Sequence, residues 1–568
     1  MKVSEIVYNR YNVENLINTY KKSTKIIKNA KSVEDVLTAR QTALNEYVKL
    51  DTAYNLAYIR WSLNTVDEFY INEKQYYDEN LPLIADSKTE YVKAILNSKF
   101  KNDLEKLLPR TLFPLYNCEL ICDNPIIIND VIKENLEATK YSNFMSGFTV
   151  NYNGEEIPFT VLKKYMQDGD RLVRKSAYQS LGNALQNNAE FLDNNFDILV
   201  KIRTEMAKKL GFDNFVTLGY NRMNRICYGI NDIENFRQNV IKYIVPTVCE
   251  IKRKIADIIG INELKLYDND VILKTDVFPI KRDIELFNVG KEMYSLMSED
   301  TAKFFNLMLE TEAFDCLSRK NKWGGGYQTD LKLYKIPFIL ANFNGSSMDA
   351  DVLTHEAGHA YASYVMSKNN ADIEVGLPCM DIAETHSMSM EFFCWKYIDK
   401  IFGSNADKYK FKHFVDSITF IPYGVMVDAF QEEVYKNYNF TAKERNILWK
   451  TLEKTFRPYM NADGITYLQD GTRWQYQMHI FESPFYYIDY ALSQVTALQF
   501  LFLSLEDYNL AFKKYEEFIS YGADYNFLDI IKKVGLKSPF EENTLKEIAQ
   551  KSLELFNKLQ KSINWQKA

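Results

Sequence analysis

The chain has only five histidines, and two of them stand four residues apart in Val352-Leu353-Thr354-His355-Glu356-Ala357-Gly358-His359-Ala360. Four residues is about one helical turn, so on a helix His355 and His359 project from one face and can share a metal ion. Glu356 falls one step around, where its carboxylate can reach a water on that metal without being a ligand. His-Glu-x-x-His on a helix is the pattern in which two imidazoles hold zinc and the glutamate works as general base in hydrolysis.

The third ligand sets the subclass. A three-histidine pattern of the extended type needs Gly at 362 and His at 365, where this chain has Ala362 and Val365. A carboxylate from a second helix must serve instead, and Glu374, Glu384 and Glu391 are the candidates. The stretch Met380 to Glu391 reads as helix with Glu384, Met388 and Glu391 on one face. His386 lies about 200° around that helix from Glu384, so it is no co-ligand and takes a supporting or structural role. His413 reads as an ordinary histidine.

Helices must carry most of this. Val13, Leu16, Ile17 and Tyr20 recur at helical spacing, as do Leu545, Ile548, Ala549, Phe556 and Leu559. Thr544-x-x-Glu547 and Ser346-x-x-Asp349 have capping-box spacing, the second just before the motif helix. Two stretches break the pattern. Phe148, Val150 and Tyr152 alternate into Asn153-Gly154 and back through Ile157 and Phe159, predicting a β-hairpin near 148–160. Ile336 to Phe343 is an apolar strand, expected to form the edge against which an extended peptide pairs. The run Gly324-Gly325-Gly326 before it is no phosphate loop; it is either a mobile loop beside a cleft or a surface turn. We place a boundary near 190, dividing an N-terminal helical lobe (1–190) with the hairpin from a catalytic helical region (191–568).

Composition closes off other classes. The chain has 568 residues, of which 46% are hydrophobic and 26% charged, as in a folded globular protein. With 69 basic against 76 acidic residues, a net charge of −7 and no basic block, no nucleic-acid partner is expected. No run approaches the roughly 18–20 apolar residues of a membrane span, so no membrane partner is expected. The start, Met1-Lys2-Val3-Ser4-Glu5-Ile6, lacks the apolar stretch of a secretory signal. Seven scattered cysteines read as reduced thiols, and the expected location is cytoplasmic. Oligomeric state is not legible.

The motif, with Glu384 25 residues after His359, resembles the thimet oligopeptidase / oligoendopeptidase F family of zinc peptidases. The resemblance continues in Phe343-Asn344-Gly345, Pro422-Tyr423-Gly424, Arg473-Trp474-x4-His479-Ile480-Phe481 and Pro484-Phe485-Tyr486-Tyr487-Ile488-Asp489-Tyr490. It spans roughly residues 140–540 and is nearest to the Pz-peptidase-like oligoendopeptidases. It implies a mainly α, zincin-type (gluzincin) metallopeptidase with a small β-sheet edging the active-site helix and two lobes around a deep channel. It further implies one Zn2+ on His355, His359 and Glu384, Glu356 as general base, and oligopeptide substrates contacted by Phe343, Gly345 and Tyr486. Tyr487 and Tyr490, three apart on one helix face, would join His479 as donors to the oxyanion, a contribution of about 10²–10³ in rate. The resemblance leaves open which of Tyr486 and Tyr487 faces the oxyanion; the three-residue spacing favours Tyr487. In a chain with 39 tyrosines, simple packing is the alternative. Glu391 can hydrogen-bond one of the histidines and fix its tautomer. A dipeptidyl-carboxypeptidase-type enzyme and an inactive helical peptide-binding protein are the competing readings.

Overall fold

The computed structural model describes residues 1–281, 284–376, 379–522 and 524–563, and helices dominate it. In the helix Val13–Lys28, Val13, Leu16, Ile17 and Tyr20 are all buried, as their spacing predicts. Asn12 caps it by accepting the Glu14 N–H at 3.0 Å. Lys25 and Lys28 occupy its last turn, where bare carbonyls favour cations. The next helix, Val33–Leu63, opens on a capping box of Ser32 and Asp35 and packs along the first.

Both capping boxes expected elsewhere are absent. The helix Glu542–Ser562 starts two residues before Thr544, which is buried on the apolar face with Leu545 and Ile548. Glu547 pairs instead with Lys537 at 2.5 Å. At the motif helix, Met348–Lys368, the Asp349 carboxylate reaches back to the Asn344 and Gly345 N–H groups at 3.0 and 2.7 Å. It fastens the loop that feeds the helix, a stronger use of a buried charge than a serine box.

The hairpin forms as expected from β1 (Thr149–Tyr152) and β2 (Glu155–Pro158), antiparallel, with Asn153 and Gly154 at φ 54° and 87° in the turn. A second sheet contains β3 (Phe314–Leu317), β4 (Tyr327–Leu331) and β5 (Ile336–Phe343), in the order β3-β5-β4. β4 pairs antiparallel with β5, from Leu331↔Ile336 to Tyr327↔Leu340, and β3 pairs parallel to it. β5 is therefore the middle strand and cannot be the edge that receives a peptide. Its near-continuous apolar run, buried at seven of eight positions, is the signature of a strand covered on both faces.

The chain forms two compact units. The first comprises 1–125, 277–406 and 500–536, and the second 126–276, 407–499 and 537–568. Each is assembled from three stretches, so a single boundary near 190 does not separate them; residue 190 lies within the helix Ala189–Lys209 of the second unit. The helix Tyr487–Glu506 is long and apolar enough to cross a membrane by composition alone. It buries 72% of its apolar window inside the protein, which marks a core helix.

Candidate active site

The motif helix follows β5 after four residues and packs against it, so the strand fixes where the motif begins. A second helix, Met380–Cys394, carries Glu384 and packs along the motif helix. Gly358 makes this possible. A Cβ there would lie 2.6 Å from Ser387 Cα and 2.8 Å from the His386 carbonyl oxygen, so the two backbones meet where any side chain would part them.

The result is a convergence of three donors. Glu384 Oε2 lies 3.4 Å from His355 Nε2 and 3.7 Å from His359 Nε2, and the three ligand atoms fall within 4.8 Å of one another. Of the three candidate carboxylates, the other two are engaged elsewhere. Glu374 accepts from Arg40 Nε at 2.8 Å, and Glu391 Oε1 meets His355 Nδ1 at 2.6 Å. That second contact holds the ring so that Nε2 faces the other donors. Ser387 donates to Glu384 Oε2 at 3.2 Å, orienting the carboxylate. Two imidazoles and a carboxylate, with Glu384 buried, are the donor set of a catalytic zinc site and fit that ion.

Electrostatics follow the geometry. Burial raises the Glu356 carboxyl to about 7, opposed by His355 and assisted by the charges of Glu384 and Glu391. Burial lowers His359 to about 4, leaving a neutral imidazole with a lone pair to give. Burial also pulls His355 down, but hydrogen bonds and charge from Glu384 and Glu391 outweigh it and lift the ring well above its ordinary value. His386 is fully buried, with neither ring nitrogen hydrogen-bonded within the described residues and its ring edge-on to Phe518; it is a packing residue.

The glycine run lies beside this centre. A Cβ on Gly326 would sit 3.9 Å from Glu356 Oε1. The run is tethered: Asn342 Nδ2 donates to the Trp323 and Gly325 carbonyls at 2.9 and 2.8 Å. Buried Lys322 anchors its start on the Asp315 and Ala341 carbonyls. Of the expected substrate contacts in this unit, Phe343 is buried with its ring 6.2 Å from that of Phe287, and the Gly345 N–H is taken by Asp349.

The second unit holds the aromatic cluster. The His479 ring centroid is 4.9 Å from Tyr487, 5.7 Å from Tyr486 and 6.0 Å from Tyr490, and Tyr487 and Tyr490 are 5.6 Å apart. Burial pushes the Tyr487 hydroxyl up, so it stays protonated and able to donate. Sequence reasoning missed what fixes this cluster. Phe485, just before the tyrosine helix, has φ 69°, costly for an aromatic residue. Gln431 Oε1 accepts its N–H at 3.0 Å, and buried Arg225 grips its carbonyl together with Asp489 Oδ1 in the helix's first turn. Its ring fills the space over Gly219, where a Cβ would come within 2.4 Å. A glycine inside the helical stretch Phe215–Arg222 was the one available sequence signal.

A His-Glu-x-x-His helix completed by a glutamate from a second helix, beside a small sheet in a helical chain, defines a zincin-type metallopeptidase. The chain belongs to peptidase family M3: the family's sequence profile matches residues 164–550, and that of the M3 N-terminal domain matches residues 3–122. By that membership it is a metalloendopeptidase-class hydrolase. Among solved structures it is similar to PZ peptidase A with inhibitor 2, at 35% identity and TM-score 0.92 over 100% of both chains. Oligoendopeptidase-F from Enterococcus faecium shares the fold, at 13% identity and TM-score 0.63 over 97% of this chain and 98% of that one. An oligoendopeptidase F homologue of Borreliella burgdorferi is 25% identical over 398 residues, 67% of this chain and 65% of that protein. The chain thus matches just under two thirds of that homologue's length. A homologue from Mycoplasma genitalium is 22% identical over 75% of this chain and 74% of its own.

Proposed function

We propose that the protein is a zinc-dependent oligoendopeptidase, cleaving internal bonds of short peptides. The convergence of His355, His359 and Glu384 around one point, with Glu356 on the same helix, carries this reading. The three donors would hold zinc, which when bound supplies Lewis-acid chemistry, polarising a carbonyl and acidifying water. Glu356 takes the proton of the attacking water and returns it to the leaving amine, a contribution of about 10²–10⁴. Glu391 keeps His355 in the tautomer that presents Nε2. His479, Tyr487 and Tyr490 donate hydrogen bonds to the oxyanion, a role that rests on the family resemblance and on their clustering. An extended peptide would add alongside β4, which within the described residues pairs on one side only, and main-chain pairing reads few side chains. All seven cysteines are thiols, which supports a reducing, cytoplasmic compartment.

The test is a quenched oligopeptide blocked at both ends, digested by wild type and by Glu356→Gln, with bound zinc measured in each. Internal cleavage that falls at least 10²-fold in the variant, with zinc retained, is expected. Undiminished hydrolysis by a zinc-loaded Glu356→Gln would refute the mechanism, and absence of both zinc and activity in wild type would refute the function.

A further inference from the structure

We propose that Gln477 is the positioning residue for His479, its side-chain amide holding the imidazole as the tautomer that carries its proton on Nε2. This rests on the reading of His479 as an oxyanion donor, because a neutral histidine donates only from the nitrogen that keeps the proton.

Gln477 sits between the turn Arg473–Tyr476 and the short helix Met478–Glu482, in an extended conformation at φ −88° and ψ 93°. Its Nε2 lies 3.1 Å from His479 Nδ1. A primary amide nitrogen has hydrogens to give and no lone pair to offer, so the ring nitrogen facing it must be the acceptor. The remaining proton of the neutral ring is then on Nε2.

The amide oxygen faces away from the ring, toward Tyr423. Oε1 accepts the Tyr423 hydroxyl at 2.6 Å. Tyr423 is held in turn by the Arg457 guanidinium, 4.9 Å from its ring centroid, and by the Tyr487 ring, edge-on at 5.8 Å. The Gln477 amide also lies beside the Tyr487 hydroxyl. One neutral side chain thus links Tyr423 to His479, and it does so without placing a charge where an oxyanion must form. Glutamate has the same shape but only accepts, so it would draw the proton to Nδ1 and add a negative charge. Methionine has similar length and directs nothing.

The experiment uses the zinc-loaded full chain with 15N-labelled histidine. The His479 signals are identified by their loss in His479→Gln, and long-range 1H–15N correlations report which nitrogen is protonated. Wild type is expected to show an unprotonated Nδ1 and an N–H at Nε2. In Gln477→Glu the proton is expected on Nδ1 or on both nitrogens, with kcat lowered about 10²-fold, the effect of removing one oxyanion donor, and KM within about threefold. Gln477→Met, expected to lose about tenfold in kcat, covers the case in which the glutamate variant does not fold. A wild-type ring protonated on Nδ1 overturns the proposal. So do both Gln477 variants retaining kcat within about twofold while His479→Gln loses it, an outcome that leaves the donor reading standing. Undiminished kcat in His479→Gln removes the donor reading and this proposal with it.

Discussion

Gly358→Ala is the most direct probe of how the metal centre is assembled. The added Cβ would lie 2.6 Å from Ser387 Cα, and ordinary contact begins at 3.4 Å, so the helix Met380–Cys394 must retreat by about 0.8 Å. The two nearest obstacles, Ser387 Cα and the His386 carbonyl oxygen, are both backbone, so rotamer changes cannot absorb the shift. Bonds of about 2.0–2.1 Å in a tetrahedral zinc site place donors about 3.3–3.4 Å apart. The present 3.4 and 3.7 Å from Glu384 to the two imidazoles nearly meet that requirement. A retreat of 0.8 Å carries both beyond 4 Å. The expected cost is about 1–3 kcal/mol of overpacking and a zinc Kd weakened about 10²-fold, equivalent to about 2.7 kcal/mol. Chelator competition measures the affinity and thermal unfolding of the metal-free protein measures the packing term. A Gly358→Ala protein that binds zinc within twofold of wild type, at unchanged metal-free Tm, would show that backbone contact at this point does not set the ligand geometry.

Other perturbations reach different parts of the molecule. Glu391→Ala removes the partner of His355 Nδ1 and is expected to weaken zinc binding 10–100-fold, read by the same competition. Gly219→Ala should press a methyl into the Phe485 ring and lower kcat without changing zinc affinity, with Phe485→Leu in the same chain restoring part of the rate. Lys252 is buried, which lowers its pKa from 10.5 to about 8. Between those values the unfolded chain holds the extra proton, so stability rises with pH across that window and the charged folded form is penalised below it. Lys252→Met should gain up to roughly 3 kcal/mol at pH 7, less the cost of baring the Asn269 carbonyl, with the gain fading toward pH 10.5; denaturant titrations at several pH values check it.

What could be read from the residues was what local geometry encodes. One helical turn separates His355 and His359, and Asn153-Gly154 forces a turn, so motif and hairpin were both legible. Glu384 required the family pattern, because spacing alone left Glu374 and Glu391 equal to it; only the fold shows Arg40 holding one and His355 the other. β5 was legible as a strand but not as a central one, since its parallel neighbour β3 is only four residues long and those residues carry no clear alternation. Gln477 and Gly219 escaped for a related reason. A glutamine before a histidine and a glycine in a helix acquire meaning only from what packs against them, Tyr423 and Phe485.

The three-stretch construction of the first unit has a consequence for synthesis. The ligands lie between residues 355 and 384, yet the helix Tyr508–Ser520 belongs to the same unit. Its Tyr515 hydroxyl bonds the His386 carbonyl and its Glu516 accepts from Tyr361 on the motif helix, both at 2.8 Å. A nascent chain emerging from the ribosome therefore exposes its proposed metal ligands more than a hundred residues before the segment that braces them can arrive. A nonsense codon ahead of Tyr508 would then remove the brace from a site whose own proposed ligands are all present.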